Sequence, residues 1–297
     1  MSKLVLITPT YNNELGIKAY LDRVLKVIDQ LPIYKAQVLF IDDGSKDQTV
    51  QTIESEIKER HLSENQVKLI QLTRNFGSYN SFLAGLTFAE GDVFVYLHAD
   101  LQDPPELILK MLDAYNKGVE LVIANRIDRS DGGLFSNIYH WMVGKYGIKD
   151  IPKGGFDLML FSNNVREQVV KISEKNTNIV YLISWLGFPY ISIPYQREKR
   201  VHGTSQWKFW NKVQLFADTL FSFTQLPLLL IRLIGLFAIF TFFFQVYLLI
   251  AKFDDFSLSV FLISLVLILL EVIAEYIWRI HETVRSRPNF VIKPSYK

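Results

Sequence analysis

Four times in the first 106 residues a short apolar run ends in a polar cluster and gives way to a helical pattern. Leu4 to Thr8 leads to Pro9 and the asparagines Asn12 and Asn13, and Val38 to Ile41 leads to Asp42-Asp43-Gly44-Ser45. Val67 to Leu72 leads to Thr73-Arg74-Asn75-Phe76-Gly77, and Val93 to Leu97 leads to His98-Ala99-Asp100-Leu101-Gln102-Asp103-Pro104-Pro105-Glu106. Runs rich in β-branched and aromatic residues, with no polar alternation, read as strands buried on both faces. The segments between them carry apolar residues at helical spacing, such as Ile17, Leu21, Val24, Leu25 and Ile28. Strands alternating with helices predict a parallel, Rossmann-like sheet, with Leu121 to Ala124 as a fifth strand and Tyr190 to Tyr195 as the last. Ligands of such sheets lie beyond the carboxyl ends of the strands, where each polar cluster falls.

The fourth cluster carries the most chemistry. If the chain stays extended past Leu97, then His98, Asp100 and Gln102 point to one side. A carboxylate and an amide oxygen there suit a hard divalent cation that also holds phosphate oxygens. Asp103 reads as an N-cap, with prolines in the first turn and Glu106 at the capping-box position; Asn12 or Asn13 reads likewise as the cap of the first helix. An acidic strand-to-helix turn without a ligand is the plainer reading of the same residues.

Composition excludes some classes. There is no cysteine, hence no disulfide and no thiolate metal site, and the net charge of +2 gives no nucleic-acid-binding character. The N-terminus, MSKLVLITPTYNN, lacks the layout of a signal peptide. Of the residues, 49% are hydrophobic, and that excess lies after residue 225. From Ser205 to Phe223, Trp207, Phe209, Trp210, Phe216, Leu220 and Phe223 fill one helical arc, opposite Lys208, Asn211, Lys212 and Asp218, the pattern of a helix at a membrane interface. Leu226 to Ile250 and Phe256 to Trp278 are each long enough to cross a bilayer. The Lys- and Arg-rich flanks put both ends on the cytoplasmic side and the connector Ala251 to Asp255 outside. Arg232 and Glu271 fall at matching depth, roughly 10 Å below one surface at about 1.5 Å per residue, and are expected to pair, unless Arg232 snorkels and Glu271 is protonated.

Seven motifs occur in order: PTYNNE (Pro9 to Glu14), IDDGSKDQT (Ile41 to Thr49), TRNFGSYNSFLAGL (Thr73 to Leu86), HADLQDPPE (His98 to Glu106), GGFDLM (Gly154 to Met159), RVHGTSQW (Arg200 to Trp207) and EYIWRIHETVRSRPNF (Glu275 to Phe290). Together they resemble the polyprenyl-phosphate glycosyltransferases of glycosyltransferase family 2, such as dolichyl-phosphate mannose synthase and the bactoprenol glucosyltransferases. The resemblance implies a GT-A catalytic domain over residues 1–203 and an interface helix over 204–225. It further implies a transmembrane hairpin over 226–278 (spans 226–250 and 256–278) and a cytoplasmic basic tail over 279–297. The implied reaction is inverting transfer of one sugar, glucose from UDP-glucose first among the candidates, to polyprenyl phosphate at the cytoplasmic face of the plasma membrane. Dimers or tetramers packed through the membrane fit the same picture.

The resemblance places the nucleotide against Pro9, Tyr11, Glu14, Asp42, Asp43 and Arg74. Asp42 and Asp43 also read as caps of the following turn, and both roles can hold at once. Asp100 and Gln102 would hold Mg²⁺ or Mn²⁺, which neutralises the leaving diphosphate. The acceptor phosphate, already anionic, needs cationic and hydroxyl partners: Arg126, Arg129 and Ser136, with Arg200 and Ser205 closing over phosphates. Asp157 takes an orienting or weak-base role near the acceptor. Two positions depart from the family pattern. His98 stands where Asp is usual, so it hydrogen-bonds phosphate, ligates the cation or marks a weakened site, and Gln206 stands where Lys is frequent. A processive polysaccharide synthase is a poorer match, since Gln196 and Arg200 are spaced wrongly for its Gln-x-x-Arg-Trp motif and no Trp follows. A catalytically weakened scaffold rests on His98 alone.

Overall fold

The computed structural model describes residues 1–127, 156–172 and 179–198, with scattered helical positions between 217 and 284. The order of elements is β1 (Ser2–Thr10), α1 (Ile17–Ile28), β2 (Tyr34–Asp42), α2 (Thr49–Glu59), β3 (Val67–Gln71), α3 (Ser78–Phe88), β4 (Val93–Tyr96), α4 (Leu107–Tyr115), β5 (Leu121–Arg126), β6 (Phe156–Ser162), α5 (Asn163–Lys171), α6 (Ile179–Trp185) and β7 (Tyr190–Tyr195). The seven strands form one sheet in the order β3-β2-β1-β4-β6-β5-β7.

Alternate residues of each strand feed two apolar layers. Leu4 and Leu6 of β1, Val93 and Val95 of β4, and Val122 of β5 pack with Ile17, Tyr20, Leu21 and Val24 of α1 and Ile108 and Met111 of α4. Val5, Ile7, Phe94, Tyr96 and Ile123 face the other way, onto Phe82 and Leu86 of α3, Val165 and Val169 of α5 and Ile183 of α6. Strands covered on both faces explain the continuous apolar runs. The layers are dense at the centre: Phe82 stacks on Tyr96 at 3.9 Å between ring centroids, and the buried hydroxyls of Thr8 and Tyr20 lie 2.5 Å apart.

The sheet is not wholly parallel, which corrects the sequence expectation. β6 inserts antiparallel between β4 and β5, and every other pairing is parallel. β1 also continues through Pro9 to Thr10 rather than ending there. Two expected helix caps are corrected as well. α1 is preceded by Gly16 and α4 by Glu106, neither helix having a side-chain cap. Asn12, Asn13 and Asp103 are drawn instead into contacts between elements.

Among the described residues no helix is long and apolar enough to cross a membrane. Only scattered positions of the expected interface helix and of the two apolar spans are described, and the Arg232–Glu271 pair lies outside the described residues, as do Arg129, Ser136, Arg200 and Ser205.

Candidate active site

Parallel pairing brings the carboxyl ends of β1, β2 and β3 level, with Thr10 opposite Asp42 and Asp42 opposite Gln71, while β4 ends earlier, with Tyr96 opposite Ile7. The loops leaving those ends then interlock. Asn12 N–H donates to Ser45 Oγ (2.9 Å), and Asn12 Oδ1 accepts from Lys46 N–H (2.8 Å). Asn13 N–H donates to Thr49 Oγ1 (2.8 Å), and Glu14 Oε2 accepts from Gln48 N–H (2.9 Å). Asn13 Nδ2 reaches the carbonyl of Ala99 (3.1 Å), tying the first loop to the β4 tip. These bonds satisfy backbone groups at both turns, so the asparagines act across the sheet rather than as helix caps.

A cleft of about 470 Å³ opens between the second and third loops, lined by Tyr11, Gly44, Ser45, Lys46, Gln71, Leu72, Thr73, Arg74 and Asn75. Asp42 and Asp43 shape it from beneath, both almost wholly buried. Asp42 accepts from Ser45 N–H (3.1 Å), Ser45 Oγ–H and Gln71 Nε2 (3.3 Å). Asp43 accepts from the backbone N–H groups of Phe76 (2.7 Å) and Gly77 (2.9 Å) and so fixes the loop that carries Arg74. Burial raises the Asp43 carboxyl to about 6, although those two N–H groups and Ser81 favour its charged form. Arg74 is exposed, with its guanidinium 4.3 Å from the Phe76 ring centroid.

Of the residues expected at a nucleotide, Tyr11 and Arg74 therefore line the cleft and Asp42 and Asp43 support it. Pro9 lies within β1, and the Glu14 carboxylate engages the start of α2. Sequence reasoning missed Ser45, Lys46, Gln71, Thr73 and Asn75. For Ser45, Thr73 and Asn75 a signal was available, because they stand in the same two polar clusters as the named residues, whereas Lys46 and Gln71 lie outside those clusters.

The β4 tip differs from the extended segment expected. The chain turns at Ala99–Asp100, and Leu101 takes a left-handed φ of 55°, so the simple alternation of His98, Asp100 and Gln102 breaks down. The turn instead brings the Asp100 carboxylate to within 3.2 Å of Gln102 N–H. His98 packs edge-on to Tyr96, with centroids 4.7 Å apart. Desolvation lowers the imidazole below its ordinary pKa against the opposing pull of Asp100 and Asp103. A neutral imidazole keeps a lone pair at neutral pH, so it can accept a hydrogen bond or ligate a metal. No three acidic, histidine or cysteine side chains gather at one point among the described residues. An ion here would thus take part of its shell from ligand oxygens. Carboxylate, amide oxygen and imidazole are donors that fit Mn²⁺, and the first two fit Mg²⁺.

On the far side of the tip, Arg126 closes β5 opposite Tyr195 of β7. Asp157 falls in β6 where the register shifts: Ala124 pairs with Leu158 but Asn125 pairs with Phe156, leaving Asp157 as the extra residue of a bulge.

A Rossmann-like sheet with a cleft over its second and third strand ends and an acidic tip on its fourth defines a nucleotide-binding α/β protein of the GT-A type. Residues 5–213 match the family model for Glycosyl transferase family 2. The chain belongs to that family. It is 32% identical to the uncharacterized glycosyltransferase YkcC of Bacillus subtilis, across 98% of this chain and 93% of the relative. It is also 32% identical to the SfII prophage-derived bactoprenol glucosyl transferase of Shigella flexneri, across 99% of each chain. Among solved structures, the mannosyltransferase PcManGT from Pyrobaculum calidifontis, in complex with GDP-Man and Mn²⁺, superposes with a TM-score of 0.51 at 19% identity. That match spans 74% of this chain and 64% of the archaeal one, and it speaks to the fold.

Proposed function

We propose that the chain transfers a single glucose from UDP-glucose to a polyprenyl phosphate, with inversion at the anomeric carbon. The observation that carries this reading is the 32% identity to a bactoprenol glucosyl transferase over 99% of both chains, with no large segment missing from either. The cleft beside Tyr11 and Arg74 takes the nucleotide, with Asp42 and Asp43 holding its two walls in register. Asp100 and Gln102 face the diphosphate, and His98 joins them as a neutral donor. A divalent ion bound there supplies Lewis-acid neutralisation of the leaving diphosphate; the solved mannosyltransferase holds Mn²⁺ together with its nucleotide sugar.

Arg126, with Arg129, Ser136, Arg200 and Ser205, supplies the donors that hold and orient the acceptor phosphate. That phosphate is anionic at neutral pH, so Asp157 needs only to orient it or act as a weak base. The apolar spans 226–250 and 256–278, led by the helix 204–225, anchor the enzyme with its catalytic domain and both termini cytoplasmic, next to the lipid acceptor. Membranes carrying the chain, given a panel of labelled nucleotide sugars with undecaprenyl phosphate, should label lipid best from UDP-glucose. Labelling from another nucleotide sugar alone would replace the assigned donor.

A further inference from the structure

Asp103 was expected to cap α4, yet it makes no bond to that helix. It is completely buried, and its Oδ1 accepts from the hydroxyl of Tyr195 at the end of β7 (2.5 Å). Arg197 Nε lies 3.6 Å from the same oxygen. One residue on, Glu198 N–H donates to the carbonyl of Gln102 (2.9 Å). The Glu198 carboxylate is gripped in turn by Arg23 of α1, through Nη1 and Nη2 at 2.7 Å each. The same guanidinium holds Glu106, just before α4, through Nε and Nη2, again at 2.7 Å. One planar fork thus clamps two carboxylates from opposite sides of the tip, a geometry lysine cannot reproduce. Isolated exposed ion pairs do little, but here two bidentate pairs share one cation beside a buried carboxylate with a backbone bond between them.

We propose that Arg23 and Asp103 are positioning residues that make the β4 tip and the segment leaving β7 one mechanical unit. The tip carries Asp100 and Gln102, and the chain leaving β7 runs directly from Glu198 into Arg200 and Ser205. Binding of a diphosphate at the tip is thereby transmitted to residues 195–198 at the end of β7. The inference rests on the proposed role of Asp100 and Gln102 at the diphosphate.

Hydrogen exchange on the full chain in lipid nanodiscs tests it, with UDP and Mn²⁺ as the ligand. In the wild type, amides of 98–103 and 195–198 should slow together on ligand addition. Arg23→Lys and Asp103→Asn should keep the slowing at the tip but lose it at 195–198, where exchange becomes about tenfold faster. Arg23→Lys should also lower kcat about tenfold while UDP affinity stays within twofold, a split that general loss of structure would not give. Slowing at 195–198 that persists in both variants would overturn the proposal, as would a segment that never responds while the tip does. If the ligand leaves the wild-type tip unchanged, the diphosphate reading of Asp100 and Gln102 fails, and transmission fails with it. The clasp is then decided without ligand: Asp103→Asn exchanging faster at both 98–103 and 195–198 upholds the mechanical unit, and unchanged exchange overturns it.

Discussion

Gly44 is the point where the second loop presses on the third. It has a φ of +70°, and a Cβ added there would lie 2.5 Å from the Arg74 carbonyl carbon, 2.6 Å from Arg74 Cα and 2.9 Å from Asn75 N. These are backbone atoms, so no rotamer change relieves Gly44→Ala. The left-handed conformation alone costs alanine about 1 kcal/mol. Restoring ordinary contact means moving the Arg74 loop out by about 1 Å, against the bonds from Phe76 and Gly77 to Asp43 and from Leu72 N–H to the Asp42 carbonyl (2.8 Å). Loss of one or two of these adds about 1–3 kcal/mol, for roughly 3 kcal/mol in all. In a domain of about 200 residues that lowers Tm by about 6–12 °C. Gly118→Ala is the matched control, because φ there is +94° but a Cβ meets nothing within 4 Å. Thermal unfolding should show the two variants separated by about 2 kcal/mol. UDP titration should show binding weakened about tenfold in Gly44→Ala, equivalent to about 1.4 kcal/mol, and unchanged in Gly118→Ala. Equal stability losses with unchanged UDP affinity would refute the claim that this backbone contact sets the cleft.

Four further variants test the site. Asp43, raised to about 6 from 3.8, binds its proton more tightly in the folded state. Its contribution to stability is therefore greatest below pH 4 and falls on the order of 3 kcal/mol as pH rises to about 6; a stability difference between wild type and Asp43→Asn that does not change over that window would contradict the burial argument. Asp100→Ala should abolish transfer while the protein stays folded, and His98→Asp should narrow an advantage of Mn²⁺ over Mg²⁺, because imidazole suits Mn²⁺ better; an unaltered metal preference would remove His98 from the ligand set. Arg126→Ala should raise KM for polyprenyl phosphate about tenfold with little change in UDP affinity, and the reverse pattern in initial-rate kinetics would mean that the two sides of the site are exchanged.

The strands were legible because burial on both faces leaves uninterrupted apolar runs, and the site clusters because each follows such a run directly. Strand order was less so. Nothing local in Phe156 to Ser162 tells that this segment slots antiparallel between β4 and β5, since its partners lie far away in sequence. Asp103-Pro104-Pro105-Glu106 has the local form of a capping box, but Tyr195 reaches Asp103 across 92 residues and Arg23 takes Glu106, so long-range partners override the local preference. The same competition removes Asn12 and Asn13 from α1. The turn at the β4 tip was hidden because it depends on Leu101, an apolar residue in a left-handed conformation that sequence rules assign to Gly or Asn. Tyr11, Arg74, Asp42 and Asp43 were found through family motifs, whereas Lys46 and Gln71 join the cleft only through the packing of one loop on another.

Transfer of one sugar from a nucleotide to a lipid phosphate is tested most directly by its product. Purified full-length chain in nanodiscs, given UDP-glucose, undecaprenyl phosphate and Mn²⁺, should yield a lipid heavier by a single hexose. By nuclear magnetic resonance that hexose should be joined to phosphate with the anomeric configuration opposite to the donor's. A polymer, a hexose of retained configuration, or UDP release without a glycosylated lipid would contradict the account.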